Sequence, residues 1–336
     1  MNARSGIVAG GNWIVDKVKF VDVYPQQDAL ANIHSEAVSN GGAPFNVLMD
    51  LARIGVSFPL EAVGLVGDDA EGRWILRECE QAGIRHHQLR THERAPTSYT
   101  DVMTVRTSGR RTFFHQRGAN AFLDVDQFDF RHTHCRMFHL GYLLLLDQLD
   151  APDAEFGTSA ARVLAHATEA GLMTSFDVVS EDSHRFSSIV LPALRHVDVA
   201  ILNEFELERT TGLAVTEDGI VRPAAVRVAC EQLLKTGVRG WVVVHFPAGA
   251  CALSAGGEWC ESGSVRIADE HIVSTVGAGD AFAAGVLFSL HEGEPMEVAL
   301  RTAACMAAAC LRGSGTSNGI LPLAGTLALG NEFGFR

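Results

Sequence analysis

The sequence predicts an α/β protein, with a mostly parallel sheet covered by helices on both faces and a small separate β-sheet. Three observations carry this. Several strand-like runs are apolar throughout instead of alternating, as expected of strands buried on both sides. Helix-like segments stand between and after them, the alternation that builds parallel sheets. One stretch breaks the pattern with two polar–apolar strands joined by a tight turn.

The strand-like runs cover residues 6–15, 60–66, 137–145, 172–178, 197–202 and 240–245. The helix-like segments cover 44–54, 69–82, 152–170, 204–211, 223–234, 277–290 and 295–311. Within 69–82, Trp74, Ile75, Leu76 and Cys79 fall on roughly one face, and Gly83 stops the helix. The exception is the pair 98–106 and 111–115, joined across Thr107-Ser108-Gly109-Arg110 with Gly109 placing the turn. A hairpin inserted early into an α/β chain is expected to form a lid or small sheet. No repeat, low-complexity tract or linker marks a boundary, so residues 1–336 read as one unit.

Composition narrows the function classes. With 47% hydrophobic and 20% charged residues, the chain is neither disordered nor collagen-like. Lys and Arg number 27 against 40 Asp and Glu, a formal net charge of −13. That field repels phosphate backbones and anionic lipid, so neither nucleic acid nor a membrane surface is the expected partner. The seven cysteines are odd in number and form no CxxC pair, which suits reduced thiols in a cytoplasmic protein. The N-terminal apolar stretch is broken by Asn12 and Asp16 and does not read as a signal peptide. The longest apolar runs, 140–146 and 281–290, fall far short of the roughly 20 residues that span a bilayer.

Three segments carry the chemistry. In Ser274-Thr275-Val276-Gly277-Ala278-Gly279-Asp280, a strand-like approach meets two glycines and then a long apolar helix. Such a turn leaves the first helical N–H groups pointing outward, an anion site made of backbone and helix dipole. Asp280 in the first turn is a poor phosphate ligand, since like charges repel, and a good base for an attacking hydroxyl. The plainer alternative is that Asp280 only stabilises the helix start. A dinucleotide fingerprint does not fit, because Phe282 takes the place of the third glycine, and no GxxxxGK[ST] is present.

The second segment, Asn40-Gly41-Gly42-Ala43-Pro44-Phe45-Asn46, lets backbone approach a ligand closely, and Asn46 can read neighbouring hydroxyls. The third, Asn203-Glu204-Phe205-Glu206, follows a strand end, where ligands of parallel sheets sit. Asn203 and Glu206 share one helix face and could orient phosphate or magnesium-bound water, or else simply cap the helix.

Taken together, Gly41-Gly42-x-Pro44-x-Asn46, Asn203-x-x-Glu206 and Gly277-Ala278-Gly279-Asp280 resemble the ribokinase-like (PfkB) carbohydrate kinase family. The resemblance covers nearly the whole chain. It implies ATP-dependent phosphorylation of a sugar hydroxyl, on a Rossmann-like doubly wound sheet with a β lid formed by segments around 12–40 and 97–120. It also implies magnesium, and a homodimer paired through the lid. Carried onto this sequence, Asp280 is the base, and the N–H groups of Gly277, Ala278 and Gly279 hold the transferring charge. Asp16, Gly41, Gly42 and Asn46 face the sugar, while Asn203, Glu206, Thr275, Gly249 and Gly315 fall on the nucleotide side. Glu206 is the candidate magnesium ligand, through water.

The sequence also departs from the family. Ser274 stands where many members have Asp, which leaves potassium activation open, and Val179 takes the Asn position of a D-x-N pattern that begins at Asp177. The hairpin carries Arg106, Arg110, Arg111 and Arg117 around Phe113, Phe114 and His115. Guanidinium forks suit a carboxylate, so a sugar acid such as 2-keto-3-deoxygluconate is one expectation, with Arg117 as a substrate ligand. The alternative is a solvated lid face. His132, His134, Cys135 and His139 match no standard zinc spacing. A binding or regulatory protein that lost turnover, a nucleoside kinase and a nicotinamide-dependent oxidoreductase stand as alternatives to a sugar kinase.

Overall fold

The computed structural model describes residues 4–336. The chain opens with β1 (Ile7–Gly11), β2 (Ile14–Val21), β3 (Ile33–Gly41), α1 (Ala43–Ile54), β4 (Leu60–Gly67), α2 (Ala70–Gln81) and β5 (Arg85–His92). Next come β6 (Ser98–Val105), β7 (Arg111–Gln116), β8 (Met137–Leu143), β9 (Pro152–Asp153), β10 (Gly157–Thr158), α3 (Ser159–Glu169) and β11 (Met173–Val178). The middle holds α4 (Phe186–Leu194), β12 (Val199–Asn203), α5 (Glu204–Thr211), β13 (Thr216–Glu217), β14 (Ile220–Val221) and α6 (Pro223–Thr236). The last part is β15 (Trp241–Phe246), β16 (Gly249–Ser254), β17 (Trp259–Gly263), α7 (Ala278–Glu292), α8 (Met296–Leu311) and α9 (Leu323–Phe333).

Nine strands form the central sheet in the order β17-β16-β15-β12-β11-β8-β1-β4-β5. From β15 to β5 every pair is parallel, and β16 and β17 close one edge antiparallel. Side chains one residue apart enter opposite cores. Ile7 and Ala9 join the core under α1, α7 and α8, whereas Val8 joins the other, under α3 to α6. The same alternation places Val243 on one side and Val242 and Val244 on the other. The doubly covered, mostly parallel sheet read from the apolar runs is the one observed.

The second sheet has four strands in the order β3-β2-β6-β7, with β2 and β6 parallel and the outer pairs antiparallel. The apolar run 6–15 is therefore split between two sheets. At Gly11 (φ 129°) a Cβ would lie 1.9 Å from the Gly141 carbonyl oxygen, so only glycine permits this approach. Asn12 and Trp13 then redirect the chain, with Trp13 Nε1 donating to the Val63 carbonyl at 2.8 Å.

Two sequence expectations are corrected. The segment 152–170 is not wholly helical, since Pro152 and Gly157 (φ 90°) make the short hairpin β9–β10. The helix begins only at Ser159, capped by Thr158 Oγ1, which accepts from Ala161 N at 3.2 Å. Strands β5, β16 and β17 and the helix α9 fall outside the apolar runs of the sequence, because their small or polar residues give no continuous apolar signature.

Candidate active site

A cavity of about 640 Å³ lies between the small sheet and the C-terminal ends of the parallel strands. A second, of about 440 Å³, adjoins it. Asn203, His245, Thr275 and Gly279 line both. Strand ends are where an open α/β sheet offers a crevice, because helices cover its faces.

Asp280 lies in the first turn of α7, beside the junction. Gly277 enters this helix at φ 80°, and a Cβ there would stand 2.7 Å from the Thr316 carbonyl oxygen. No side chain caps the helix, so its leading N–H groups remain open. The Asp280 carboxylate accepts from Asn46 Nδ2 at 2.7 Å and from the Tyr142 hydroxyl at 2.7 and 2.8 Å. Asn40 fixes Asn46, donating from Nδ2 to Asn46 Oδ1 at 2.7 Å and to Ser317 Oγ at 2.9 Å. Burial, with the Asp177 charge adding to it, raises Asp280 to a pKa of about 7, while the bonds from Asn46 and Tyr142 hold it down.

Asp16 lines the same cavity from β2 and is raised to about 7, by burial first and then by the charge of Asp280. Gly41 lies diagonally across the strand pair from it, where a Cβ would sit 2.5 Å from Asp16 Oδ1. Gly42 lines the cavity at φ 84°, and a Cβ there would reach within 2.1 Å of the Asn12 carbonyl oxygen. Both glycines are thus demanded by close approach and not only by the turn.

Asn203 and Glu206 cap α5 and line the cavity at once. Asn203 Oδ1 accepts from Glu206 N at 2.9 Å, and Glu206 Oε2 accepts from Asn203 N at 2.9 Å. Glu206 Oε1 also accepts from Ser180 Oγ at 2.7 Å and Asn203 Nδ2 at 2.8 Å. Burial raises Glu206 to about 8. The capping reading of this motif is the observed geometry, and the same two residues line the cavity.

The remaining expected residues divide. Thr275 lines both cavities and accepts from Arg111. Ala278 and Gly249 line the second cavity. Gly315 lines neither; it packs its loop against Ser39, where a Cβ would be 3.1 Å away. Arg117 does not line the cavity either. It donates to the Leu144 carbonyl at 3.2 Å and pairs with Asp147 at 3.0 Å, so it ties the end of the small sheet to the loop after β8.

Arg111, not Arg106 or Arg117, supplies the guanidinium in the cavity. Alternation along β7 sends 111, 113 and 115 inward, a signal present in the sequence once the strand is placed. Thr100 and Tyr142 also line the cavity, and nothing in the sequence marks them, because each sits in a strand among residues of ordinary composition. His139 is fully buried, 3.5 Å from Asp177 and 2.9 Å from Ser175, and no cluster of three metal-ligating side chains occurs among the described residues.

A buried carboxylate inside an uncapped helix start, at the strand ends of a doubly wound sheet, suits a phosphotransferase that acts on an alcohol group. The pfkB family carbohydrate kinase model matches residues 10–323, and the chain belongs to that family. An ATP-dependent ribose-1-phosphate kinase of Halopiger xanaduensis is 30% identical over 276 residues, 82% of this chain and 81% of that protein. A fructokinase of Vibrio alginolyticus is 27% identical, covering 80% of this chain and 83% of its own. Among solved structures, ribokinase of Arabidopsis thaliana complexed with ribose and ATP superposes with a TM-score of 0.78 at 23% identity, over 97% of this chain and 98% of that one. A putative ribokinase II from E. coli in complex with ATP and Mg2+ gives 0.74 at 18% identity, over 98% and 99% of the two chains. Among the described residues, no helix is long and apolar enough to cross a membrane.

Proposed function

We propose that this kinase transfers the γ-phosphoryl group of ATP to a hydroxyl of a small, uncharged sugar. The observation that carries the reading is Asp280, a buried carboxylate of raised pKa held at the open start of α7 by Asn46 and Tyr142. The sugar oxygen attacks the γ-phosphorus, the bond from that phosphorus to the β–γ bridging oxygen breaks, and ADP leaves. The hydroxyl proton goes to Asp280. The amides of Gly277, Ala278 and Gly279 meet the charge on the transferring oxygens, so positioning and electrostatics do most of the catalysis.

The second cavity suits the adenine base, being lined by Ala304, Ala307, Ala308, Leu311 and Ile267. Relatives solved with ATP, and with ATP and Mg2+, support ATP as the phosphoryl donor. Oxygen donors of the Glu206 type suit magnesium, and three bonds already made to that carboxylate favour contact through water. Bound there, magnesium would neutralise phosphate charge. Asp16, Gly42 and Asn46 face the sugar.

An uncharged sugar fits better than a sugar acid. Asp16, Asp177, Glu181, Glu206 and Asp280 line this cavity against the single guanidinium of Arg111. A second copy pairing through the outer face of the small sheet would cover Val38 and Phe114, which are 60% and 51% exposed. Sedimentation of the protein tests that pairing.

The test of the reaction is coupled ADP release with magnesium-ATP across ribose, fructose, 2-keto-3-deoxygluconate and nucleosides. Asp280→Asn should lower turnover by about 10²–10⁴-fold. Undiminished turnover in that variant overturns the assignment of the base, and turnover confined to the sugar acid overturns the uncharged substrate.

A further inference from the structure

His245 stands at the end of β15, paired in register with Asn203 on β12, and borders both cavities. Its ring edge faces the start of α7, since a methyl group placed on Gly279 would lie 3.4 Å from His245 Cε1 and 3.6 Å from Nε2. The ring stacks on Phe282, with centroids 5.0 Å apart and planes inclined by 34°. Among the described residues, neither ring nitrogen receives a hydrogen bond from the protein or gives one to it. The residue is half-buried on the cavity wall, so this imidazole has donor and acceptor capacity open to what enters the cavity.

We propose that His245 is a further catalytic residue, donating a hydrogen bond to an oxygen of the phosphoryl group as it passes between the two cavities. The proposal rests on the kinase reading and adds to it a donor that the anion turn does not contain. Burial holds the ring down to a pKa of about 4, so at neutral pH it carries one N–H and no charge. It therefore acts as a fixed dipole beside the amides of Gly277–Gly279 and transfers no proton. Bonds are made and broken as in the reaction above, and the proton still goes to Asp280. Placed by stacking before the phosphate arrives, such a donor needs little reorganisation during the reaction.

The test compares His245→Gln, which keeps an N–H donor, with His245→Phe, which keeps the stack on Phe282 and loses the donor. The Phe variant should lose about 10²-fold in kcat, by analogy with other donors to developing charge. The Gln variant should stay within about tenfold of the parent, and both should melt close to it. Calorimetric binding gives a readout independent of turnover: a non-hydrolysable ATP analogue with magnesium should lose affinity in the Phe variant while ADP binding holds. If the analogue and ADP weaken equally, or if Phe turns over as the parent does, the proposal is overturned. If the parent has no turnover at all, the kinase reading fails, and the analogue-against-ADP comparison still decides whether His245 meets the terminal phosphate.

Discussion

The turn that opens α7 and the four-stranded small sheet face the same cavity and are built on opposite plans. The turn presents backbone N–H groups, left open by a chain path that only glycine at 277 permits. The small sheet works through side chains, with Asp16, Thr100, Arg111 and His115 delivered from three different strands. A backbone site is written in a few consecutive residues. A side-chain site exists only once register is set, because one residue of slip sends every side chain to the other face.

If that contrast is right, damage to the turn should reach the chemistry, and damage to the small sheet should reach sugar binding. Among the variants that test this contrast, the largest effect expected is from Gly277→Ala. Its Cβ would stand 2.7 Å from the Thr316 carbonyl oxygen at a φ that side chains disfavour, which misaligns the N–H groups. Turnover should fall by about 10²–10³-fold, the scale of losing one donor to a developing charge. A variant that keeps parental kcat would break the comparison.

Tyr142→Phe comes next, with a loss of about tenfold expected and a diagnostic change in pH dependence. Asp280 must be ionised to act as base, so kcat/KM should rise with pH through about 7 in the parent. The Tyr142 hydroxyl stabilises the ionised form, so its removal should move that limb to higher pH. A limb that stays in place would show that another group sets it.

Arg117→Ala should act on the other side of the comparison. Loss of its bonds to the Leu144 carbonyl and Asp147 loosens the loop that carries Leu145 into the cavity. KM for the sugar should rise about threefold to fivefold with kcat little changed, in keeping with the modest worth of partly exposed ion pairs. An equal loss in kcat would place Arg117 with the chemistry.

The smallest effect concerns stability. Asp16 and Asp280 are raised to about 7 and Glu206 to about 8, and Asp50, buried with neither oxygen bonded, is pushed well up. Groups whose pKa is higher folded than unfolded hold protons in the folded state. Their contribution is complete below about pH 4 and is lost as pH rises through 7 to 8. The ligand-free protein should therefore melt progressively lower from pH 6 to 9, with Asp50→Asn flattening the slope. A flat profile in the parent would show that these acids are ionised already.

The same contrast explains what the sequence made legible. The parallel sheet was readable because strands such as β12 and β15 are apolar on both faces, and the anion turn because it is contiguous. The three motifs also lie where the strand ends bring them together. Arg111 was hidden among four arginines until alternation chose it, and Arg117 lies just beyond the strand, where alternation no longer applies. Tyr142 gave no local sign at all, since only the folded distance to Asp280 distinguishes it. Strands β16 and β17 pair antiparallel, and their small and polar residues leave no continuous apolar run to mark them.

The join between the two sheets has a mechanical consequence. Only Asn12 and Trp13 separate β1 from β2, both are fully buried, and both are pinned: Trp13 to the Val63 carbonyl, and Asn12 to the Leu145 carbonyl at 3.3 Å. A flap hinged at such a root has no slack about which to swing. Along β3 the strand is exposed at Ile33 and buried by Gly41, so its freedom grows with distance from the root. The small sheet is thus a cantilever. Flexing at its tip would leave the carboxylate of Asp16, near the clamped end, almost in place.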